Sequence, residues 1–418
     1  MLKLPILTAL CFAVSFPAAL AVDWQQWRGP NGDNHAAAGA TAPVEWSEAS
    51  GLAWNTPLPG RGHSSPTIVG NRIYLTTAHK AAQTQSLLIL DRETGRLVKE
   101  QIVHRGGLIE EKNLHPNNTH ASPTVASDGQ RVFTLFLNQD AAWLTAFDLE
   151  GEQLWQERAI GFDPQQYKFG FGSSPVVVGD KVIVTSEYDG NESGIVALNT
   201  ANGQREWKAK RPQKLSYSSV ARAKINGRIQ LLISGNYQLA SYDPNTGEEN
   251  WSKSGTTQAT CGTMAYDPES QLAFASGGYP EVFTLAVETG GQHNIVWKNQ
   301  AKSYEQSMLV VDGFLYTITD RGIAYCWGCR SGKQMWKQRL GGGFSSSPLL
   351  VDGKIYATSE AGTTFVFAAN PERFQALGEN QLGDEAFATP TPLDGRLYHR
   401  YSKATAGGRQ EFLAAIGQ

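Results

Sequence analysis

A short phrase recurs along this chain at the spacing of propeller blades, and this recurrence constrains the fold more than any other feature. The phrase is an apolar residue followed by Asp-x-x-Thr-Gly-x-x-x-Trp, and its six copies begin at Leu90, Phe147, Leu198, Tyr242, Ala286 and Cys326. Lys99 takes the Trp position in the first copy, and the fifth copy is two residues longer, from Gly291 to Trp297. A period of about 40 to 45 residues predicts a propeller of four-stranded blades.

A hairpin pattern precedes each copy of the phrase. Ser-Ser-Pro, or a variant of it, leads into an apolar run, a tight turn and a second apolar run. The turn pairs are Gly70-Asn71, Asp128-Gly129, Gly179-Asp180, Asn226-Gly227, Asp312-Gly313, Asp352-Gly353 and Asp394-Gly395, with a less regular turn near Asp267-Pro268. Such pairs tolerate positive φ, as tight hairpins require. Each repeat therefore predicts two strands on a hairpin, a third strand ending in the Thr-Gly turn and a fourth strand carrying the Trp.

One blade is expected to combine the two ends of the sequence. Trp54 precedes Pro66 by the same interval that separates Trp336 from Pro348. Trp54 is therefore assigned to the outer strand of a blade whose other strands lie at 389–401 and 412–416. Sharing a blade closes the ring without free sheet edges. We expect an all-β, eight-bladed propeller of four-stranded antiparallel blades whose last blade is closed by the N-terminal strand.

The first residues predict export. Residues 1–21 contain Lys3, an apolar run and the small-residue cleavage pattern Ala19-Leu20-Ala21, which is typical of a signal peptide. Pro5 and Pro17 interrupt the apolar run and speak against a membrane anchor. We expect a bacterial protein that is periplasmic or secreted, with residues 22–50 packing on the propeller and residues 51–418 forming it. The net charge of −3, without a basic cluster, excludes nucleic acid and anionic membranes as expected partners.

Three Cys residues remain beyond the signal peptide, namely Cys261, Cys326 and Cys329. Cys326 and Cys329 have the spacing of a redox or metal motif. They fall near a strand-to-turn junction, however, and no second Cys pair or His accompanies them, which disfavours zinc. We interpret them as inert or disulfide-bonded, with a redox role as the alternative.

These repeats resemble the PQQ-like β-propeller repeat family, and the Trp at each blade end corresponds to that family's docking Trp. Residues 23–33 and 341–367 resemble a subgroup of exported bacterial propellers without an assigned activity. The resemblance implies a structural role for the indoles, each packing against the next blade. They are Trp54, Trp155, Trp207, Trp251, Trp297 and Trp336.

Candidate binding residues lie in the loops of one propeller face, around the central channel. The loops between the second and third strands contribute His79, Asn138, Glu187, Asn236, Gly278, Asp320, Glu360 and Arg400. The loops before each first strand contribute His63, His115, His120, Tyr167, Tyr304, Glu305, Phe344 and Glu385. From these we select as the binding surface His63, His79, His120, Asn138, Glu187, Asn236, Asp320, Glu360 and Arg400. The alternative is that they are ordinary polar loop residues. Because such residues are usually exposed, replacing Glu187 or Asp320 by Ala is expected to leave folding intact.

A quinoprotein dehydrogenase is the alternative function that the resemblance implies. In that interpretation Glu187 and Asn236 would hold calcium, and Asp320 and Arg321 would act as the base and the partner of the quinone PQQ. The chain lacks the adjacent Cys pair that covers the cofactor in those enzymes. No cofactor and no metal are therefore expected.

Residues 24–31 contain two indoles, Trp24 and Trp27, and lack helical periodicity. We expect them to cross one face of the ring and plug the channel, with a mobile arm as the alternative. The function we expect is that of a binding or scaffold module, similar in kind to the propeller lipoprotein of the outer-membrane barrel-assembly machinery. Its partner is expected to be a protein or glycan of the cell envelope, and the chain itself a monomer.

Overall fold

Each repeat folds into one antiparallel sheet of four strands, and the part of the chain that the structure describes forms eight of these sheets. The structure is a computed structural model that describes residues 23–417. The expected signal peptide, residues 1–21, lies outside the described residues. We number the blades 1 to 8 along the chain and label their strands a to d in sheet order, from the a strands that surround the axis to the outer d strands. The prediction of an all-β, eight-bladed propeller is confirmed.

The strands of the first four blades have the following bounds, in the order a to d. They are Thr67–Val69, Arg72–His79, Thr84–Asp91 and Leu97–Arg105 in blade 1; Ala126–Ser127, Arg131–Asn138, Ala141–Asp148 and Gln153–Gly161 in blade 2; Val176–Val178, Lys181–Ser186, Gly194–Asn199 and Arg205–Lys210 in blade 3; and Ala221–Ile225, Arg228–Gly235, Gln238–Tyr242 and Glu249–Ser254 in blade 4.

The remaining blades follow the same order. Their strands are Ala265–Asp267, Leu272–Gly277, Phe283–Glu288 and Ile295–Asn299 in blade 5; Leu309–Val311, Phe314–Ile318, Ile323–Gly328 and Gln334–Arg339 in blade 6; Leu349–Val351, Lys354–Thr358, Thr363–Ala368 and Ala376–Gln381 in blade 7; and Thr391–Leu393, Arg396–Thr405, Gly408–Ile416 and Leu52–Leu58 in blade 8. A short 3-10 helix, Glu111–Asn113, lies between blades 1 and 2. Within residues 23–417 no helix has the length and apolar character that a membrane crossing needs.

Burial falls from the inner strands to the outer strand of each blade. In blade 5 every residue of strand b, Leu272–Gly277, is buried. In blade 6 only Trp336 is buried in strand d. Neighbouring blades cover both faces of the inner strands, so the sequences of these strands are continuous apolar runs. The outer strands are partly exposed and tolerate charged residues.

The closing blade is built from strands of both ends of the chain, as the sequence predicts. Strand Leu52–Leu58 pairs antiparallel with Gly408–Ile416, and Trp54 lies opposite Ala415. The hairpin turns also match, since Asn226 and Gly227, for example, both have positive φ (50° and 80°). The shared blade is confirmed, and it joins the two ends of the described chain into one closed ring.

Four of the outer-strand indoles pack on the glycine turn between strands c and d of the next blade. Trp207 donates its indole N–H to the carbonyl oxygen of Pro244 at 3.0 Å. A Cβ on Gly247, which has a φ of 73°, would lie 2.4 Å from the Trp207 ring. The recurrent glycine therefore provides both the left-handed turn and the space for the indole. Trp54, Trp155 and Trp297 contact Gly95, Gly203 and Gly332 in the same way.

Two blades lack the docking indole and are sealed by other means. In blade 1 the ammonium group of Lys99 donates to the carbonyl oxygen of Gly151 at 3.0 Å. In blade 7, Gly378 pairs with Val366 at the position where other blades carry Trp, and Val44 of the N-terminal segment lies against it. Trp46 from the same segment is buried beside Tyr356, with the ring planes 17° apart. The N-terminal segment thus supplies the indole that blade 7 lacks.

Before reaching blade 7, the N-terminal segment crosses the propeller face opposite the b-to-c loops. Its backbone bonds to successive a strands: Trp24 accepts from the Ile68 N–H at 2.9 Å, and Gln25 accepts from the Ser127 N–H at 2.7 Å. Arg28 then donates to the carbonyl oxygen of Met308 at 2.9 Å. Within the described part of the chain, the segment covers this end of the channel, which opens toward the other face.

Candidate functional site

A cavity of about 430 Å³ occupies the channel and opens on the face of the b-to-c and d-to-a loops. We call it the funnel. Nearly all of its lining comes from the d-to-a loops, which lead directly into the innermost strands. Its aromatic lining residues are Trp27, Tyr167, Phe169, Tyr217, Tyr279, Tyr304 and Phe387. A cavity of this size with mixed apolar and polar walls has the character of a ligand site.

A ring of hydroxyl groups surrounds the lower part of the funnel. It consists of Ser65, Thr124, Ser174, Ser219, Thr263, Ser307, Ser347 and Thr389. Among the described residues, seven bonds connect it, each from the backbone N–H of one blade to the hydroxyl oxygen of the next, at 2.8–3.1 Å. The recurrent Ser of the Ser-Ser-Pro pattern therefore joins neighbouring blades at the axis.

Trp27 forms the floor of the funnel. Its indole N–H donates to the Thr263 hydroxyl oxygen at 3.0 Å, so the N-terminal segment is fastened directly to the hydroxyl ring. Trp24, in contrast, is buried in the apolar core next to Ile68. Of the two indoles expected to plug the channel, Trp27 therefore reaches the cavity and Trp24 anchors the segment.

One wall of the funnel carries the carboxylate of Glu305, and Asn117 and Ser345 of the lining contact a second carboxylate, Glu360. Glu305 precedes blade 6, and Glu360 lies in the b-to-c loop of blade 7. The Asn117 side-chain amide, from the loop before blade 2, lies 3.4 Å from both oxygens of Glu305 and 3.3 Å from Glu360 Oε1. The Ser345 hydroxyl donates to Glu360 at 2.6 Å. The loop before blade 2 therefore reaches across the axis to the opposite blades.

Other parts of the wall combine stacked rings with unpaired polar atoms. His63 stacks on Phe387 with ring centroids 4.3 Å apart. Its Nδ1 lies 3.2 Å from the carbonyl oxygen of Asn117, which requires the proton on Nδ1 and leaves Nε2 as an acceptor. Burial, followed by the charges of Arg61 and Arg400, holds the pKa of His63 well below its usual value. His63 Nε2 and the Tyr217 hydroxyl have no hydrogen-bond partner within the described chain.

Three exposed aromatic residues frame the opening, and we call them the mouth. They are Tyr167, Phe169 and Tyr279, with 37%, 41% and 46% of their surface exposed. Tyr167 stacks on Phe169, and its hydroxyl lies 3.1 Å from that of Tyr279. The contact joins the loop before blade 3 to a loop of blade 5. Exposed aromatic clusters of this kind mark contact surfaces.

The selected binding residues do not all lie at the funnel. His63 lines it, Glu360 contacts its wall through Asn117, and Asp320 accepts from the Tyr304 backbone N–H at 2.8 Å. His79 pairs instead with Glu100 at 2.7 Å.

The other selected residues are engaged within the blades. His120 bonds to the Ile109 carbonyl oxygen at 2.8 Å. Asn138 is buried and donates to Gln85 and Gly106. Arg400 is buried in an ion pair with Glu411 at 3.0 Å. None of these three residues is among those that line the funnel.

Glu187 and Asn236 form a buried polar cluster with Arg211. Arg211 Nε donates to Glu187 Oε1 at 2.7 Å, and the Asn236 amide donates to the same oxygen at 2.8 Å. Glu187 is 1% exposed. The expectation that Glu187 is an exposed loop residue was therefore wrong, because its side chain turns inward to a cation from the next d-to-a loop.

This cluster does not fit the calcium site of the alternative interpretation. The guanidinium group of Arg211 already neutralises Glu187. Within the described chain only Glu187 Oε2 and Asn236 Oδ1 are left without hydrogen-bond partners here, whereas calcium takes roughly six to eight oxygen ligands. No group of three or more acidic, His or Cys side chains suited to a metal ion occurs in residues 23–417.

The funnel also does not fit an anionic quinone. PQQ is a polycarboxylate, and the lining includes the carboxylate of Glu305. The ammonium group of Lys302, which also lines the funnel, lies 3.1 Å from the carboxylate of Asp320. A second anion at this wall would meet the negative charge of Glu305.

The three described cysteines are free thiols. Cys326 and Cys329 are buried in the blade core, and burial raises the pKa of Cys326 to about 11. A thiol with a raised pKa is a poor nucleophile. Cys261 lines the funnel, and burial raises its pKa as well.

Sequence reasoning missed several lining residues. Tyr217, Phe387 and Tyr279 carry no motif of their own. Two of them share a positional signal: Tyr217 and Phe387 directly precede the recurrent Ser-Ser-Pro pattern or its variants, where His63 and Glu305 also stand.

Comparisons with known proteins agree with this architecture. A family model described as outer membrane protein assembly factor BamB matches residues 29–157, 84–333 and 294–376. A curated relative with that name from Yersinia pestis is 22% identical over 228 residues, which is 50% of this chain and 54% of the relative. The match thus spans only about half the length of that relative.

Solved structures share the fold at low identity. BamB from Moraxella catarrhalis superposes with a TM-score of 0.60 at 13% identity, covering 87% of this chain and 99% of the other. A europium-containing methanol dehydrogenase gives 0.54 at 11% identity, covering 94% and 98%. The quinohemoprotein alcohol dehydrogenase from Comamonas testosteroni gives 0.51 at 14% identity, covering 96% and 82%.

Proposed function

Because this chain belongs to the family described as outer membrane protein assembly factor BamB, a family of PQQ-like propellers, we propose that it is an exported scaffold that binds a partner protein in the bacterial cell envelope. The binding surface in this proposal is the mouth together with the funnel beneath it. The fold by itself does not carry the proposal, since solved dehydrogenases share it.

The observation that carries the proposal is the blind funnel with exposed aromatic residues at its opening. The lower end is closed by Trp27 and the hydroxyl ring, so a partner has one face to approach. At that face Tyr167, Phe169 and Tyr279 present large, rigid surfaces, which are the side chains that dominate protein interfaces. The loops differ from blade to blade while the strands repeat, as in other recognition propellers.

A photo-crosslinking residue at the mouth tests the proposal. With benzoylphenylalanine at position 279, we expect light-dependent conjugates to one or a few envelope proteins in the native host, because the side chain stands at the contact surface. Denaturing gels and mass spectrometry of the conjugates measure this.

The matched control places the same residue at exposed Lys333, in a c-to-d turn on the opposite face. We expect no conjugates there. Equal conjugation at both positions, or none at position 279, would contradict the proposed binding face.

The alternative function, a quinoprotein dehydrogenase, can be tested by a separate prediction. Equilibrium dialysis against PQQ with calcium should show no stoichiometric binding, because the Arg211 guanidinium group already pairs with Glu187 and the funnel lining carries the Glu305 carboxylate. Stoichiometric binding, together with dye reduction by alcohols or sugars, would favour the dehydrogenase over the scaffold.

A further inference from the structure

The carboxylates of Glu305 and Glu360 lie close together at one side of the funnel, and the positive charge that acts on Glu305 comes from His115. Glu305 and Glu360 come from adjacent blades and share the single amide group of Asn117. An amide donor is neutral and compensates neither charge. Lys302, which also lines the funnel, forms a salt bridge with Asp320. Two carboxylates held together in a partly dehydrated wall are costly unless a cation joins them.

The surroundings of Glu305 show this cost. Burial raises the pKa of Glu305, the Glu360 charge raises it further, and hydrogen bonds from Ser345 and Asn117 together with the His115 charge lower it. The net direction is upward. A cationic group beside Glu305 would reverse that direction, since an opposite charge favours the ionised form.

The remaining walls also suit a cation with several N–H donors. Tyr217, Tyr304, Phe387 and Trp27 line the cavity, and the faces of aromatic rings attract cations. His63 Nε2 is an unpaired acceptor that stays neutral because of the lowered pKa of His63. The funnel lining therefore offers acceptor atoms at Glu305 and at His63, together with aromatic side chains.

We infer that the funnel binds the guanidinium group of an arginine side chain presented by a partner polypeptide. A planar guanidinium group has the donors to serve both the carboxylate wall and His63, and it stacks on aromatic rings. Tyr167, Phe169 and Tyr279 at the mouth then contact the peptide on either side of the arginine. This inference rests on the proposed scaffold function and names the group that the partner inserts.

The cavity size agrees with this occupant. A volume of about 430 Å³ lies at the small end of the range for ligand cavities, roughly 300–1,000 Å³. One long side chain with part of its backbone fits such a space, whereas a folded element does not. The peptide therefore enters by a side chain, and its main chain remains at the mouth.

Two peptides that differ in one charge provide the test. The full mature protein is titrated calorimetrically with an acetylated, amidated peptide carrying a central arginine, and with the same peptide carrying citrulline. Citrulline keeps the shape and removes the charge. We expect the arginine peptide to bind at least about tenfold more tightly, because hydrogen bonds between charged partners exceed neutral ones by that much.

Glu305→Gln is the matched protein variant. It should reduce the affinity for the arginine peptide about tenfold and leave the affinity for the citrulline peptide unchanged. Glu372→Gln, at an exposed position in the c-to-d loop of blade 7, should change neither affinity. Circular dichroism and thermal melting verify that both variants are folded.

The comparison of the two peptides needs no variant, so the inference stays testable if Glu305→Gln fails to fold. Equal affinity for both peptides, no binding of either, or an arginine affinity unchanged by Glu305→Gln would each overturn it. Arginine amide binding as tightly as the peptide would assign the funnel to a small cation and overturn the polypeptide occupant. If crosslinks form at position 279 but the arginine peptide does not bind in the titration, this inference is wrong and the proposed scaffold function still stands.

Discussion

Replacing Glu187 by Ala should lower the free energy of unfolding by about 3–5 kcal/mol, the cost typical of removing one partner from a buried ion pair. Arg211 has no exposed side-chain surface. Without Glu187 its charge would remain in the interior with only the neutral acceptors Gln238, Tyr242 and Gly235. Urea unfolding followed by tryptophan fluorescence measures the loss.

The exposed pair Glu48 and Lys403 provides the control, since both side chains are nearly half exposed. Glu48→Ala should cost less than about 1 kcal/mol. The double variant Glu187→Leu with Arg211→Met should be more stable than Glu187→Ala, because it removes the stranded charge. A Glu187→Ala protein as stable as the Glu48→Ala protein would show that water reaches the cluster.

Replacing Trp54 by Ala should destabilise the ring by a similar amount, about 3–5 kcal/mol. The indole packs on Tyr398 with centroids 6.0 Å apart, and it donates to the Arg92 carbonyl oxygen at 3.0 Å. It therefore joins blade 8 to blade 1 at the closure. Deleting residues 22–58 should act more strongly, since it uncovers the edge of strand Gly408–Ile416 and promotes aggregation. Urea unfolding and light scattering measure the two effects.

Leu154→Ala is the control on an equivalent outer strand, where Leu154 is 51% exposed next to a docking indole. It should change the unfolding free energy by less than about 0.5 kcal/mol. A truncated protein that stays monomeric and melts at the temperature of the full chain would show that the closing strand is dispensable.

The fold could be predicted from the sequence because the residues that determine each blade lie close together in the chain. Each hairpin turn, Thr-Gly turn and outer indole lies within one repeat, so the pattern of Gly247 and Trp251 can be read without knowing any neighbour. The packing between blades is harder to read. Trp46 replaces the missing indole of blade 7 from a distant part of the chain, and no local signal marks it for that position.

The candidate site was only partly predictable for the same reason. The d-to-a loops were expected at the channel, and His63, His115, Tyr167 and Glu305 do line the funnel. Polar character alone, however, does not distinguish a residue that faces the channel from one that is paired inside a blade. Glu187 and Arg400 were selected because they are polar, and their partners, Arg211 and Glu411, appear only in three dimensions.

The shared blade has a consequence for the kinetics of folding. Strand Leu52–Leu58 is made early but pairs with Gly408–Ile416, which is synthesised at the far end of the propeller. Pairing over such a separation slows folding, because the loop entropy is lost before the contact forms. Until blade 8 is complete the early strand has no partner and is the segment most open to mispairing. The ring therefore closes only when the whole propeller sequence is available, and conditions that delay this final step should favour aggregation through the two unpaired edges.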